Sequence, residues 1–341
     1  MSSALPPTSD DRIVWDTWLS IYRLPIVTVA DAVGLFSVLA ARAMTTDELA
    51  VELDVNGRAL QIHLGVLAAM GFVERRLGRW RATAATRTWM IPEATGYCGP
   101  VMHFFVESQP LHAQLLSTLK TGARSGEHRS SADEWEAGEM SAELAQRITA
   151  YMNAHSQASA RAVARQPVFG ELGNMLDVGG GSGIFSIEVA KAWPTLKSTI
   201  MDIDVVGEEA ARYVEKAGVA DRVTTLGINM FEQPWPQGYD AHFLSNIFHD
   251  WSDDSCRMLA RKSFDALPSG GRILLHEMLV DDDGCGPLAT TSFSLLMLLS
   301  TKGRQYTLRE LQAFLESAGF VDVEATQTGG GYYSLVSARK P

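Results

Sequence analysis

The run LSNIFHDWSDD, residues 244–254, sets His249 beside Asp250 and then Trp251, directly after residues that read as a buried strand. A histidine in that place has three readings: a proton acceptor, a metal ligand, or a polar group filling a corner of the core. A second run with chemical potential is LDVGGGSGIFS, where Asp177 ends a strand and glycines follow at 179, 181 and 183 before a helix. Glycine is needed where the chain turns sharply and a ligand lies against the backbone, because a Cβ would collide. The dinucleotide fingerprint G-x-G-x-x-G asks for a third glycine at 184, which is Ile184, and no Gly-Lys-Ser/Thr follows, so neither a pyrophosphate nor a P-loop reading holds.

The next strand ends in IMDID. An acidic side chain there is placed to accept both hydroxyls of a ribose, and Asp202 is the candidate; a helix-capping role is the alternative for Asp202 and the preferred role for Asp204. After a third strand, GINMFEQPW puts Asn229, Met230 and Phe231 at the same edge, an amide to meet an adenine amino group and two apolar side chains to flank the ring. These features describe a cofactor with an adenosine and no pyrophosphate. S-adenosyl-L-methionine, a sulfonium cation joined to an amino acid, fits that description and suits an acidic protein.

The elements that carry these residues alternate as strand, turn, helix, strand from Pro167 onward, which predicts a Rossmann-like α/β fold with a doubly wound, seven-stranded, mainly parallel sheet. FVDVEATQT and GYYSLVSAR, joined only by Gly329 to Gly331, predict an antiparallel hairpin at one edge. Upstream, three- and four-residue apolar spacing in VADAVGLFSVLAAR and GRALQIHLGVLAAMGF predicts helices, with Thr46 as the N-cap of a short helix between them. VERRLGRWRAT then reads as a small hairpin around Gly78, completing a winged-helix order. Residues 96–166 read as further helices interrupted by a surface loop, KTGARSGEHRSSADE. The expected division is residues 1–95 as a winged-helix dimerisation domain, 96–166 as a helical linker and substrate-pocket segment, and 167–341 as the cofactor-binding catalytic domain.

At 341 residues, 46% hydrophobic and 20% charged, the chain has the composition of an ordinary globular protein with more than one domain. Its formal charge of −11 repels nucleic acid and anionic membrane surfaces, and the candidate recognition helix carries one Arg, so a DNA reader is disfavoured against a dimerisation or lid domain, and a homodimer is expected. Cys98, Cys256 and Cys285 lack metal or redox spacing and read as reduced thiols. No leader-like or spanning segment is evident, so a soluble, cytoplasmic protein is expected.

In their order and spacing LDVGGGSG, IMDID, GINMF, FHDWSDD, LLHEML and TKGRQYTLRELQAFLESAGF resemble the class I small-molecule O-methyltransferases, those similar to caffeate and acetylserotonin O-methyltransferases, with an N-terminal winged-helix dimerisation domain. The resemblance implies that Gly179, Gly181, Asp202, Asn229, Met230 and Ser245 line the cofactor site, that His249 is the general base, and that Glu277 holds its imidazole. Asn229 replaces a usual Asp, Ser245 a frequent Lys, and Gln305 a frequent second Glu. Glu277 also ends the next strand of the sheet, at the edge His249 occupies, which favours the proton acceptor among the three readings. An amide at 277 would be expected to hold the ring without the charge. Asp250 is assigned to orienting the loop or the cofactor end of the site, and Trp251 to packing under the next helix. A metal site built from His249, Asp250, His276 and Glu277 would want another His near FSLLMLLSTKG, and none is there, so no metal is expected. Met102, Phe104, Phe105, Trp135, Met140, Met152, Phe293 and Met297 are divided between core and an apolar pocket for a small acceptor. Transfer to carbon or nitrogen, or a non-catalytic winged-helix regulator, are the alternatives to O-methylation.

Overall fold

A computed structural model describes residues 10–106, 108–124 and 131–341. The chain forms two compact units, one of Val14–His128 with Val280–Thr307, the other of Met1–Ile13, Arg129–Leu279 and Leu308–Pro341. Compactness therefore groups the chain differently from its order along the sequence. The loop expected around residues 120–134 falls partly on 125–130, outside the described residues.

In the first unit, helices Leu35–Ala41, Thr46–Leu53 and Gly57–Ala69 precede an antiparallel hairpin of β1 (Val73–Arg76) and β2 (Arg79–Ala82). Leu77 and Gly78, both at positive φ, make the two-residue turn that matches strand twist. The N-cap of Thr46–Leu53 is Thr45, one residue earlier than the sequence reading: Glu48 N–H donates to Thr45 Oγ1 at 3.2 Å and Thr45 N–H to Glu48 Oε2 at 2.8 Å. This reciprocal box needs its acid three residues after the cap, which selects Thr45. Thr46 Oγ1 instead bonds Gln61 at 2.7 Å and Trp80 Nε1 at 3.1 Å. Helix Leu288–Ser300 belongs here because it is apolar on most of its circumference. Phe293 meets Trp15 edge-on at 5.2 Å, and a Cβ at Gly65 would stand 2.8 Å from the Gly284 carbonyl.

The second unit holds β3 (Asn174–Val178), β4 (Lys197–Asp202), β5 (Val223–Gly227), β6 (Ala241–Ser245), β7 (Arg272–Met278), β8 (Val321–Gln327) and β9 (Tyr333–Arg339) in the order β5-β4-β3-β6-β7-β9-β8. The first five are parallel, and β9 runs antiparallel to both neighbours. The hairpin is thus at the edge as expected, with its second strand inside and β8 outermost, mostly exposed and polar as a managed edge should be. Phe169, Phe185 and Phe243 pack together in the core beneath helix Ala142–Val163. The connections reverse between β3 and β6, and the carboxyl ends of the strands beside such a switch are where ligands bind in this architecture. No single described helix is long and apolar enough to cross a membrane.

Candidate active site

The chain leaves β3 through Gly179 and Gly181, at φ +66° and +55°, where an L side chain is strained. A Cβ at Gly179 would stand 2.5 Å from Ile247 Cδ1, and one at Gly181 3.4 Å from Met152 Sδ. Positive φ at both positions, and crowding by Ile247 at Gly179, account for glycine in this turn. Asp177 faces inward: its carboxylate accepts from Ser186 Oγ at 2.6 Å, and burial pushes its pKa up to about 7.

Asp202 ends β4. Oδ1 accepts from Ile203 N–H at 2.8 Å and from Trp135 Nε1–H at 3.1 Å, and Oδ2 accepts from Gly181 N–H at 3.0 Å. Burial pushes this carboxyl up to about 6 against the pull of those donors. Asp204 is not a cap. It is the first residue of helix Asp204–Ala217, whose N-cap is Ile203, and its carboxylate lies where a Cβ on Gly227 would be. An acid in the first turn still suits the helix dipole.

After β5, Asn229 Oδ1 accepts from Phe231 N–H at 2.9 Å while Nδ2 donates to the Glu136 carbonyl at 3.0 Å. Trp235 Nε1–H holds the Met230 carbonyl at 2.9 Å, and Lys262 Nζ holds the Phe231 carbonyl at 2.8 Å. The Phe231 ring stands edge-on to Trp251 at 4.5 Å, so Trp251 is buried against this loop. Ser245 ends β6 with its hydroxyl 2.9 Å from His276 Nδ1, turned into the sheet rather than outward.

Beyond β6 the chain turns at Asn246, φ +57°, into a 3₁₀ turn over Phe248–Asp250. Glu277, near the end of β7, fixes that turn: Oε1 accepts from Ile247 and Phe248 N–H, each at 3.0 Å. Its Oε2 lies 2.9 Å from His249 Nδ1, an ion-pair distance with the ring N–H not aimed squarely at the oxygen. Both side chains are almost wholly buried. Asp250 Oδ1 is 3.6 Å from Nε2, the other ring nitrogen. Burial is the largest single influence on His249 and opposes its charge, but Glu277 and Asp250 together outweigh it and raise the pKa above the ordinary value. Asp250 itself is pushed up to about 6 by burial, and His155, on helix Ala142–Val163, down to about 4 by burial and then by the His249 charge.

Gly179, Gly181, Asp202, Asn229, Met230, Ser245, His249 and Glu277 thus gather along the carboxyl edge of one sheet. The set fits S-adenosylmethionine: a glycine turn at positive φ, a buried carboxylate after it, then an amide with apolar neighbours. Gln305 lies in the other unit, buried, with its N–H on Ser294 Oγ at 3.0 Å. Among the described residues no group of three or more His, Cys, Asp or Glu side chains could hold a metal ion. Of the aromatic and Met residues singled out, Phe104 and Phe105 are exposed, Phe293 and Met297 buried, and Trp135 and Met140 pack against Ile203 and Val206. The Trp135 bond to Asp202 had no sequence signal, since 67 residues separate the two.

The profile of the O-methyltransferase domain family matches residues 119–321. A 3-hydroxy-5-methyl-1-naphthoate 3-O-methyltransferase from Streptomyces sahachiroi is 30% identical over 328 residues, 96% of this chain and 94% of that one. The crystal structure of an O-methyltransferase family 2 protein from Planctomyces limnophilus in complex with apigenin superposes with a TM-score of 0.82 at 25% identity, over 98% of each chain. Human N-acetylserotonin methyltransferase in complex with S-adenosylmethionine shares the fold at a TM-score of 0.60 and 22% identity, over 100% of this chain and 99% of that one. The chain belongs to the O-methyltransferase domain family and is an S-adenosylmethionine-dependent O-methyltransferase of small molecules.

Proposed function

We propose that this enzyme methylates a ring hydroxyl of a planar, largely apolar aromatic acceptor, with His249 as general base and Glu277 as the group that holds it. The 2.9 Å approach of Glu277 to His249 Nδ1 carries the reading. A carboxylate on Nδ1 keeps the proton there, leaves Nε2 as the acceptor, and steadies the imidazolium that forms. The naphthoate substrate of the Streptomyces relative and the apigenin bound to the Planctomyces protein support the aromatic acceptor. When bound, the cofactor supplies an electrophilic methyl on a sulfonium. The protein's part is to align the acceptor and take its proton.

Gly179 and Gly181 would pass the cofactor close to the backbone, Asp202 would accept the ribose hydroxyls, and Asn229 and Met230 would meet the adenine, with Ser245 a small residue lining the same edge. Residues 1–95 we read as a winged-helix dimerisation domain, 96–166 as a linker that also lines the acceptor site, and 167–341 as the catalytic domain. Support for a homodimer is the apolar exposure of Val14, Ile21, Phe104 and Phe105, which symmetric pairing would cover.

The test of the base is single-turnover methylation by His249→Ala. A fall on the order of 10² to 10⁴ in rate, with S-adenosylhomocysteine affinity nearly unchanged, is expected. A rate and pH profile equal to the parent's would remove His249 from the chemistry.

A further inference from the structure

Trp135 holds an acceptor that the cofactor would also claim. A carboxylate offers about four lone-pair sites, two on each oxygen. On Asp202, Oδ1 already receives Ile203 N–H and the Trp135 indole N–H, and Oδ2 receives Gly181 N–H. A ribose diol held through both hydroxyls wants one site on each oxygen, and only Oδ2 has one left.

The three donors are not equal. Ile203 and Gly181 N–H belong to the backbone at the ends of β4 and β3, fixed by the sheet. The indole stands on the short helix Ser131–Ala137, which contributes no strand and is tethered at a second point by Asn229 Nδ2 on the Glu136 carbonyl. That tether can stay in place, because an adenine amino group would use the remaining lone pair of Asn229 Oδ1.

We propose that Trp135 is a latch on the cofactor site: its indole N–H and a ribose hydroxyl compete for Oδ1 of Asp202, so that full engagement of the cofactor swings the indole off while the helix remains tied to Asn229. The latch rests on the assignment of Asp202 to the ribose. It makes Trp135 a determinant of cofactor affinity and of the release of demethylated cofactor, without contact to the acceptor. The indole body also packs against Ile203 and Val206, so Trp135→Phe removes the N–H and keeps an aromatic ring there.

The experiment is calorimetric titration of S-adenosylhomocysteine into the full-length parent, Trp135→Phe and Asp202→Ala. A hydrogen bond to a charged group is worth enough that its loss as a competitor should tighten binding to Trp135→Phe by about ten-fold, while Asp202→Ala loses binding. Unchanged or weaker binding by Trp135→Phe, with Asp202→Ala still defective, overturns the latch and leaves the ribose assignment standing. Unchanged binding by Asp202→Ala overturns both. Deuterium exchange on the parent gives an independent reading should the Phe variant fail to fold. The indole N–H of Trp135, followed by NMR, should exchange faster when S-adenosylhomocysteine is bound, and unchanged or slower exchange there overturns the latch.

Discussion

Glu277→Gln is an isosteric change whose effect the geometry fixes. Glu277 Oε1 accepts two backbone N–H groups at 3.0 Å, from Ile247 and Phe248. A glutamine must leave its oxygen on those donors, because turning the amide over would aim NH₂ at two N–H groups in a buried site. Its NH₂ then occupies the Oε2 position, 2.9 Å from His249 Nδ1. An amide NH₂ only donates, so Nδ1 must become the acceptor and the ring proton moves to Nε2. Nε2 is then no longer able to take a proton. The expected cost is the whole contribution of a positioned base, on the order of 10² to 10⁴ in rate, or about 3 to 5 kcal/mol of barrier. The sequence alone ranks this amide as the milder lesion; the two backbone donors reverse that ranking and make it comparable to His249→Ala. Glu277 also raises the His249 pKa, and the active form needs a neutral ring, so the parent's rate should climb with pH through a value above the ordinary histidine pKa. Residual activity in Glu277→Gln should have that limb at lower pH. Rapid-quench single turnovers with labelled cofactor across pH, beside calorimetry of S-adenosylhomocysteine, measure both. A Glu277→Gln enzyme within a few-fold of the parent, on an unmoved pH limb, would refute the tautomer argument.

The buried Asp177 should make the fold pH-sensitive. Its pKa rises from 3.8 to about 7, so the proton favours the folded state, and the stability this confers is complete below the unfolded value and lost as pH rises through about 7. Asp177→Asn should therefore melt higher than the parent at about pH 8, by roughly 1 to 2 kcal/mol of the ~4 kcal/mol that the shift converts to, since Ser186 keeps an acceptor but loses a charged one. That advantage should vanish at about pH 4, and a variant less stable at both would contradict the account. For the quaternary reading, sedimentation of the parent should give twice the 37.2 kDa chain mass, and Ile21→Asp should shift it toward one chain. A parent that sediments as a single chain would refute the dimer.

Much of the site was legible because its determinants are local. A positive φ at 179 and 181 tolerates little but glycine, so the turn is written as a spacing of glycines. Apolar runs such as AHFLS and RILLHEM are read as strands because each buries nearly every side chain. Strand alternation then puts Asp202, Asn229, His249 and Glu277 at one edge without any knowledge of packing. What lay beyond the sequence was the choice of partner atom. Nothing periodic links Glu277 to the N–H groups of Ile247 and Phe248, Trp135 to Asp202, Ser245 to His276, or helix Leu288–Ser300 to Phe293's neighbour Trp15. These contacts join segments far apart in the chain, and each is chosen by which buried donor must find an acceptor once the elements have packed. The sequence determined which residues reach the edge of the sheet. Only the tertiary structure decided which oxygen of Glu277 is spent on the backbone and which is left for His249, because satisfying buried hydrogen bonds is a property of the packed whole.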